Sequence, residues 1–536
     1  MSNTKEDIEN RKNKLNNFLF GWIEDNYDKI FLVILILAFA IRFWIFLQTR
    51  DQAIWWDTAT YLSTAKRWAF GLGMNDIWYY RRAFLWALIP AIIFKLNLGE
   101  GGIRFLEVIF STGIVFVSYF LIKNMFNKKL ALLTSIGLTF SWVFLFFTGR
   151  PMTSIPASFF LLTALLFFWK GYVLKQGNKF TYLFALFLGL AVLTRFQYLM
   201  FTLPLFLFIL AKEKFSFIKN KSLWISLLLF VCVLIPHMVL YSIKYKTFFL
   251  IDILGHYFGI GSDPTVTAAA AKTSFISFFN YFLDLPYLLT KIVFVIFLIG
   301  AFIFFLDLFL GLDKIFKDKE VQKKLFVFLM IVIPYVILGK ITQYVEQRYV
   351  MALLPFLFLM VATTFEKIED FFKKQNKNIV LFLVLLLLVL SLIPNILWAK
   401  SLIENKSTSY LEVKQAGLWV KANSNQGDYI VTTSFPQISY YSERPISTFE
   451  TEGDPEMGTP RNKTQFEEFV ERDRPVFLII SGFQPHPEWV NGYIEDNKDW
   501  IIPVKAYPEN QQPLIVIYKF DYSSRNNLNY SLINTV

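Results

Sequence analysis

One feature constrains this chain more than any other. Almost uninterrupted apolar runs follow one another from residue 30 to residue 398. Runs of roughly 17–23 such residues cross the hydrocarbon of a bilayer as helices, which alone pair all their backbone groups within one segment. They lie near 30–48, 103–122, 130–148, 153–170, 180–195, 198–211, 222–243, 288–310, 325–340, 350–365 and 379–398. The reading is a polytopic α-helical membrane protein with about 11 transmembrane helices, the short pair at 180–211 being the weakest. Composition agrees: 55% of the 536 residues are hydrophobic and 61 are phenylalanine. That leaves too little polar surface for a soluble chain of this length.

Charge sets the expected orientation. Short connections dense in lysine, such as Lys123, Lys128 and Lys129, or Lys212, Lys214, Lys219 and Lys221, alternate with short or long aromatic connections. Lysine-rich loops stay in the cytoplasm, so residues 1–29 form a cytoplasmic N-terminal segment. An odd number of spans then puts the C-terminal part outside. The net charge of +12 belongs to these turns and not to a nucleic-acid-binding face. The single cysteine, Cys232, lies inside an apolar run, and His237, His256 and His486 are scattered. Neither a disulfide framework nor a thiolate or histidine metal site fits that pattern.

Within the transmembrane part, 30–398, two outer loops are long. The first, 49–102, carries two apolar-faced stretches too short to span, read as interfacial helices. The second, 244–287, holds "GIGSDPTVTAAAAKTS" and reads as a segment able to close over a substrate. Residues 399–536 alternate helix-like and strand-like pieces, an extracytoplasmic α/β domain without a glycine-rich phosphate loop.

Charges at the membrane edge carry the chemistry, because burying them without a partner is costly. The outer ends of the runs collect Asp51, Asp57, Arg81, Arg82, Arg104, Arg150, Arg195, Lys340, Glu346 and Arg348. Several cations with a few carboxylates on one side suit an anionic lipid headgroup and a general base; interfacial anchoring is the simpler alternative. In "IWWDTATYL", Asp57 is placed to N-cap a helix starting at Thr58. Arg348 stands two residues after Glu346, a spacing that does not face on a helix, so a more distant partner such as a phosphate is expected for it.

Three stretches carry a resemblance: "WWDTATYLSTAKRWAFG" followed by "RRAFLWAL", "GRPMTSIPASFFLL" with "GLAVLTRF", and "EQRYVMALLPFLFLMVA". In this order they resemble the GT-C-fold glycosyltransferases that use polyprenyl-phosphate sugars, the clan of protein O-mannosyltransferases and lipid A aminoarabinose transferases. The segment "ISYYSERP" is similar to the tail domains of archaeal members. The resemblance implies a GT-C fold and transfer of a monosaccharide from a polyprenyl (dolichyl-type) phosphate to an acceptor hydroxyl, with inversion, at the outer face of the cell membrane. It makes Asp57 the catalytic base and Arg348 the donor-phosphate ligand, with Arg82 or Lys340 assisting. Asp51, Glu346, Tyr349, Arg150 and Arg104 are further candidates. Thr58 and Ser154 depart from the acidic residues of many relatives, so acceptor activation does not follow the family pattern in full.

The implied partners are the lipid-phosphate sugar, a protein, lipid or glycan acceptor, and membrane lipid, with no nucleic acid. No cofactor is required and a divalent metal is not expected, since lipid phosphate leaves well unaided. The rival enzyme is an oligosaccharyltransferase-like, metal-dependent GT-C protein, which needs a paired acidic motif; Asp51/Asp57 and Asp252/Asp263 are the pairs available. A lipid or sugar transporter, or a binding protein with a decayed site, remains as the non-catalytic alternative.

Overall fold

The computed structural model describes residues 25–72, 82–252, 278–342, 344–372, 377–448, 462–509 and 511–525. Arg81, Asp263 and the centre of the second outer loop, all singled out in the sequence, lie outside them. In chain order, α1 (Tyr27–Thr49) is followed by α2 (Trp56–Phe70), α3 (Leu85–Lys95) and α4 (Gly99–Met125). Next come α5 (Lys128–Phe140), α6 (Trp142–Thr148) and α7 (Ser154–Phe168), the last running on through a π-helical turn. Then follow α8 (Asn178–Thr194), α9 (Thr202–Glu213), α10 (Lys221–Tyr245), α11 (Lys291–Leu310) and α12 (Lys319–Ile341). The apolar part closes with α13 (Leu354–Phe372) and α14 (Lys377–Asn405).

Among the described residues, eight helices are long and apolar enough to cross a membrane, or nine if α5 and α6, bent by 49° at Ser141, are one span. The count of eleven is therefore not confirmed, and the shortfall falls on the pair at 180–211. At a rise of about 1.5 Å per residue, α8 covers about 25 Å and α9 about 18 Å of a layer roughly 30 Å thick. Between them the chain passes through a 3-10 stretch, Phe196–Phe201. Its length has a local cause: Pro204 has no N–H to give the Met200 carbonyl, so α-type pairing starts only beyond it.

The residues divide into two compact units. Those described within Met1–Thr49, Tyr80–Leu85 and Arg104–Glu404 form the first; those within Arg50–Tyr79, Trp86–Ile103 and Asn405–Val536 form the second. Most of the first outer loop, which the sequence reading grouped with the spans, thus packs with the C-terminal residues.

In the first unit the break between α5 and α6 is held by two side chains. Arg42 of α1, fully buried, donates to the carbonyls of Leu138 (3.1 Å) and Thr139 (3.2 Å), the last turn of α5, and to Ser111 Oγ (2.8 Å). On the other side of the break, Asn395 Oδ1 accepts from the Trp142 N–H at 3.3 Å. A broken span exposes such groups where no water can reach them, and these side chains replace the missing helical bonds. Arg104 does the same nearby, donating to the carbonyls of Thr49 (3.1 Å) and Gly149 (2.7 Å) at the ends of α1 and α6. Gly149 is required there, because a Cβ would run into the Thr49 side chain.

The second unit adds α15 (Leu411–Ala422), β1 (Ile430–Thr432), α16 (Phe435–Ser442), β2 (Ile446–Ser447) and α17 (Lys463–Asp473). It continues with β3 (Phe477–Ser481), α18 (Trp489–Asp496), β4 (Ile501–Tyr507) and β5 (Ile515–Phe520). The sheet order is β2-β1-β3-β5-β4, with β2, β1 and β3 parallel and β5 and β4 antiparallel additions. Alternate residues of β1 and β3 point to opposite faces. Ile430, Phe477 and Ile479 pack under α15 and α16, while Val431 and Leu478 pack under α17 and α18. Strand β4 escapes sequence pattern because Pro503 interrupts it, which an edge position tolerates.

Replacing Arg42 by methionine is expected to leave the Leu138 and Thr139 carbonyls unpaired and to lower stability by about 2–4 kcal/mol. Thermal unfolding of the detergent-purified protein measures this; an unchanged midpoint would contradict the bracing role.

Candidate functional site

In the first unit the site is built where "EQRYVMALLP" enters α13. Pro355 cannot donate to the Met351 carbonyl, so the entry is a 3-10 turn, Gln347–Leu353, preceded by Glu346 in extended conformation (φ −122°, ψ 119°). That backbone corrects one expectation. Glu346 lies outside the helix, so the two-residue spacing does bring it to Arg348, whose Nε donates to its carboxylate. The nearest partner of Arg348 is thus its sequence neighbour. Its Nη1 lies 3.7 Å from Met152 Sδ.

The ring of Tyr349 receives two guanidinium groups. That of Arg348 lies 5.4 Å from the ring centroid and that of Arg195 lies 4.3 Å from it. Arg195 follows the last turn of α8, where a cation complements the helix dipole. Its Nη1 donates to Ser154 Oγ at 2.7 Å and Thr153 Oγ1 at 3.3 Å, at the start of α7, and its Nε to Gln197 Oε1. The structure therefore joins Glu346, Arg348 and Tyr349, a pairing of Glu346 with Arg348 that the helical spacing rule had argued against, and adds Arg195 to them. Spans α7 and α13, whose N-terminal ends meet here, are the two most deeply buried of the set.

The segment is held from the far end of the second outer loop. Tyr281 Oη accepts from Thr342 Oγ1 (3.2 Å) and from the Glu346 N–H (3.4 Å). Asp284 Oδ2 accepts from Gln347 Nε2 at 3.0 Å. Burial raises the Asp284 carboxyl above its ordinary value, with the Gln347 hydrogen bond opposing. Asp284 was not singled out in the sequence, because nothing in "FLDLPYLL" distinguishes it from a helix cap.

The other cations divide. Arg104 and Arg150 are buried, and each is turned to backbone: Arg104 to Thr49 and Gly149, Arg150 to the Phe146 carbonyl with its guanidinium 3.8 Å over the Phe146 ring. The bonds of Arg104 anchor the ends of two helices. Lys340, in the last turn of α12, has its ammonium 5.8 Å from the Phe278 ring. Arg82 is half-buried ahead of Phe84, which stacks on His237 at 5.7 Å. Arg42 and Glu107 were missed: both are fully buried inside apolar runs, where a single charge does not disturb the hydropathy pattern.

Asp57 belongs to the second unit. It is not the N-cap. The Trp55 carbonyl already accepts from the Ala59 N–H at 2.8 Å, so Trp55 is the cap and Asp57 sits half-buried in the first turn of α2, where the dipole favours a carboxylate. Helix α16 grips this region. Tyr441 Oη accepts from the Ile54 N–H (2.8 Å), Gln437 Nε2 donates to the Ile54 carbonyl (3.3 Å), and Phe435 meets the Trp56 ring edge-on at 5.1 Å. Further along α2, Ser63 Oγ donates to the Pro436 carbonyl (3.2 Å) and Lys66 Nζ to the Tyr440 carbonyl (3.0 Å). Asp51, by contrast, is exposed and pairs with Arg50 at 3.4 Å, a contact worth little in water.

Comparisons with known proteins now bear on this arrangement. Residues 81–240 match the family model described as dolichyl-phosphate-mannose-protein mannosyltransferase. The structure resembles ArnT from Cupriavidus metallidurans in the apo state, with TM-score 0.64 at 12% identity over 93% of this chain and 98% of that one. The ArnT structure bound to undecaprenyl phosphate gives 0.62 with the same identity and coverage. The Archaeoglobus fulgidus oligosaccharyltransferase in complex with zinc and sulfate gives 0.58 at 13% identity, over 91% of this chain and 73% of that one. The chain has the GT-C fold of these structures, and its residues 81–240 carry the mannosyltransferase family match. No curated protein sequence matches it. Among the described residues of this GT-C protein, no group of three or more His, Cys, Asp or Glu side chains is placed to hold a metal ion.

At the end of α16, Glu443 accepts from Lys66 (2.9 Å) and Lys421 (2.6 Å). Burial pushes its carboxyl up, but the two ammonium groups outweigh burial and hold it below the ordinary value. Burial lowers Lys66, with Glu443 opposing. A carboxyl depressed in the folded state adds stability above its unfolded value and loses it as pH falls through the folded one. Glu443→Gln is therefore expected to cost about 1–3 kcal/mol at neutral pH. The difference from the parent should shrink below about pH 4. Unfolding midpoints across pH 3–8 test this, and a gap that stays constant would remove the ionic explanation.

Proposed function

We propose that this membrane glycosyltransferase moves a monosaccharide from a polyprenyl phosphate of the dolichyl type to an acceptor hydroxyl at the outer face of the membrane, with inversion. The observation that carries the reading is the likeness to ArnT, one of whose structures holds undecaprenyl phosphate, over 93% of this chain. The match of residues 81–240 to the mannosyltransferase model supports the same donor class.

In this reading Arg348 grips the donor phosphate. A planar guanidinium offers paired donors to phosphate oxygens and stays charged, so it also stabilises the charge that grows as the phosphate departs. Its bond to Glu346 orients the guanidinium. Asp57 takes the acceptor hydroxyl's proton as that oxygen attacks the anomeric carbon and the sugar–phosphate bond breaks. A carboxylate suffices when the sugar has oxocarbenium character and proton transfer is late, as in glycoside chemistry. Support for Asp57 comes from "WWDTATYL" and from the grip of α16 on Ile54 and Trp56, which fixes the backbone next to it.

A second reading, a metal-dependent enzyme of the oligosaccharyltransferase type, draws on the likeness to the Archaeoglobus fulgidus structure with zinc and sulfate. The test is to incubate purified protein with radiolabelled polyprenyl-phosphate sugars and cell-envelope extract, with and without EDTA, and follow the label. Transfer that survives EDTA is expected, and its loss would favour the second reading. Asp57→Asn is expected to lower transfer by about 10²–10⁴-fold while donor binding persists. A fully active variant would remove Asp57 from the mechanism.

A further inference from the structure

Arg195, the second cation on the Tyr349 ring, has an unusual set of partners. Arg195 donates to Ser154, Thr153 and Gln197, all neutral, and its face lies on the Tyr349 ring. Among the described residues neither an ion pair nor a hydrogen bond engages its Nη2, and the side chain is only half-buried. The carboxylate of the cluster, Glu346, is engaged by Arg348. Two guanidinium groups thus share one tyrosine ring with one carboxylate, and the uncompensated charge is on Arg195. A half-buried cation held only by neutral groups keeps its full attraction for an anion, and the low local dielectric strengthens it. The neutral contacts also fix the guanidinium in place, which reduces the ordering cost of binding.

We propose that Arg195 is a ligand of the donor's phosphate, acting with Arg348 across Tyr349, and that Ser154 is neutral so that Arg195 stays available. Arg348, already paired with Glu346, is the weaker half of this clamp. The proposal rests on the polyprenyl-phosphate reading above and concerns binding alone, so it stands independently of the role of Asp57.

Titration of the detergent-purified full-length protein with undecaprenyl phosphate, and in parallel with the uncharged alcohol undecaprenol, tests it. The parent protein should prefer the phosphate. Arg195→Ala should weaken phosphate-lipid binding by roughly 10- to 100-fold and leave the alcohol unaffected. Since Arg195 also joins α8 to α7, that variant can lose its fold, and Ser154→Asp separates the two effects. A carboxylate at Ser154 keeps the hydrogen bond to Arg195 but occupies its charge. Stability should hold or rise in Ser154→Asp while phosphate-lipid binding falls about tenfold or more. Unchanged phosphate-lipid binding in Ser154→Asp, with the parent still preferring phosphate over alcohol, would overturn the assignment of Arg195. A parent protein that does not distinguish the phosphate from the alcohol would overturn the donor reading itself.

Discussion

A backbone carbonyl at the end of a helix has nothing to bind inside hydrocarbon unless the protein supplies a donor. Arg42 supplies it for Leu138 and Thr139, and Arg104 supplies it for Thr49 and Gly149. These bonds permit the third apolar run to break at Ser141 and to end at Gly149, and the start of α7 follows at once in the chain. The position of Thr153 and Ser154, and through them of Arg195, therefore depends on arginines that donate to backbone carbonyls. Their cationic character is structural, although in sequence they are indistinguishable from cations that bind substrate.

Proline acts as the second organising device. Pro204 and Pro355 each follow a 3-10 stretch, and each withholds the N–H that would have continued an α-helix backward. The first stretch separates Arg195 from α9. The second keeps Glu346 extended and turns Arg348 and Tyr349 toward Arg195. Two local backbone effects, far apart in sequence, thus produce a single cluster of guanidinium groups around one aromatic ring. In the second unit an α/β sheet of modest size serves a different end, presenting α16 so that it holds both polar backbone groups of Ile54 and the ring of Trp56.

Much of this was legible. The apolar runs predicted every long span, and the motif "EQRYV" pointed to three residues that do stand together. The helical pieces of the first outer loop and the strands β1, β3 and β5 were visible in their periodicity. What failed has physical reasons. The count of eleven is not confirmed at α8 and α9, because hydropathy registers composition and not the break between them. Asp57 read as a cap because the extended backbone of Trp55 is invisible in the sequence. The pairing of Glu346 with Arg348 was set aside because a helical spacing rule was applied to residues outside the helix.

By itself the sequence determined the membrane class, the approximate spans and the cationic side chains on offer, because these follow from composition and from residue chemistry. Tertiary structure alone decided which charges are engaged by backbone and which face one another. That decision could not be read beforehand: Arg42, Arg104, Arg195 and Arg348 are the same residue type in similar apolar surroundings. Only the path of the chain determines whether the nearest acceptor is an orphaned carbonyl, a hydroxyl or a carboxylate. For Arg195 the nearest acceptors are neutral, and this distinguishes it from the others.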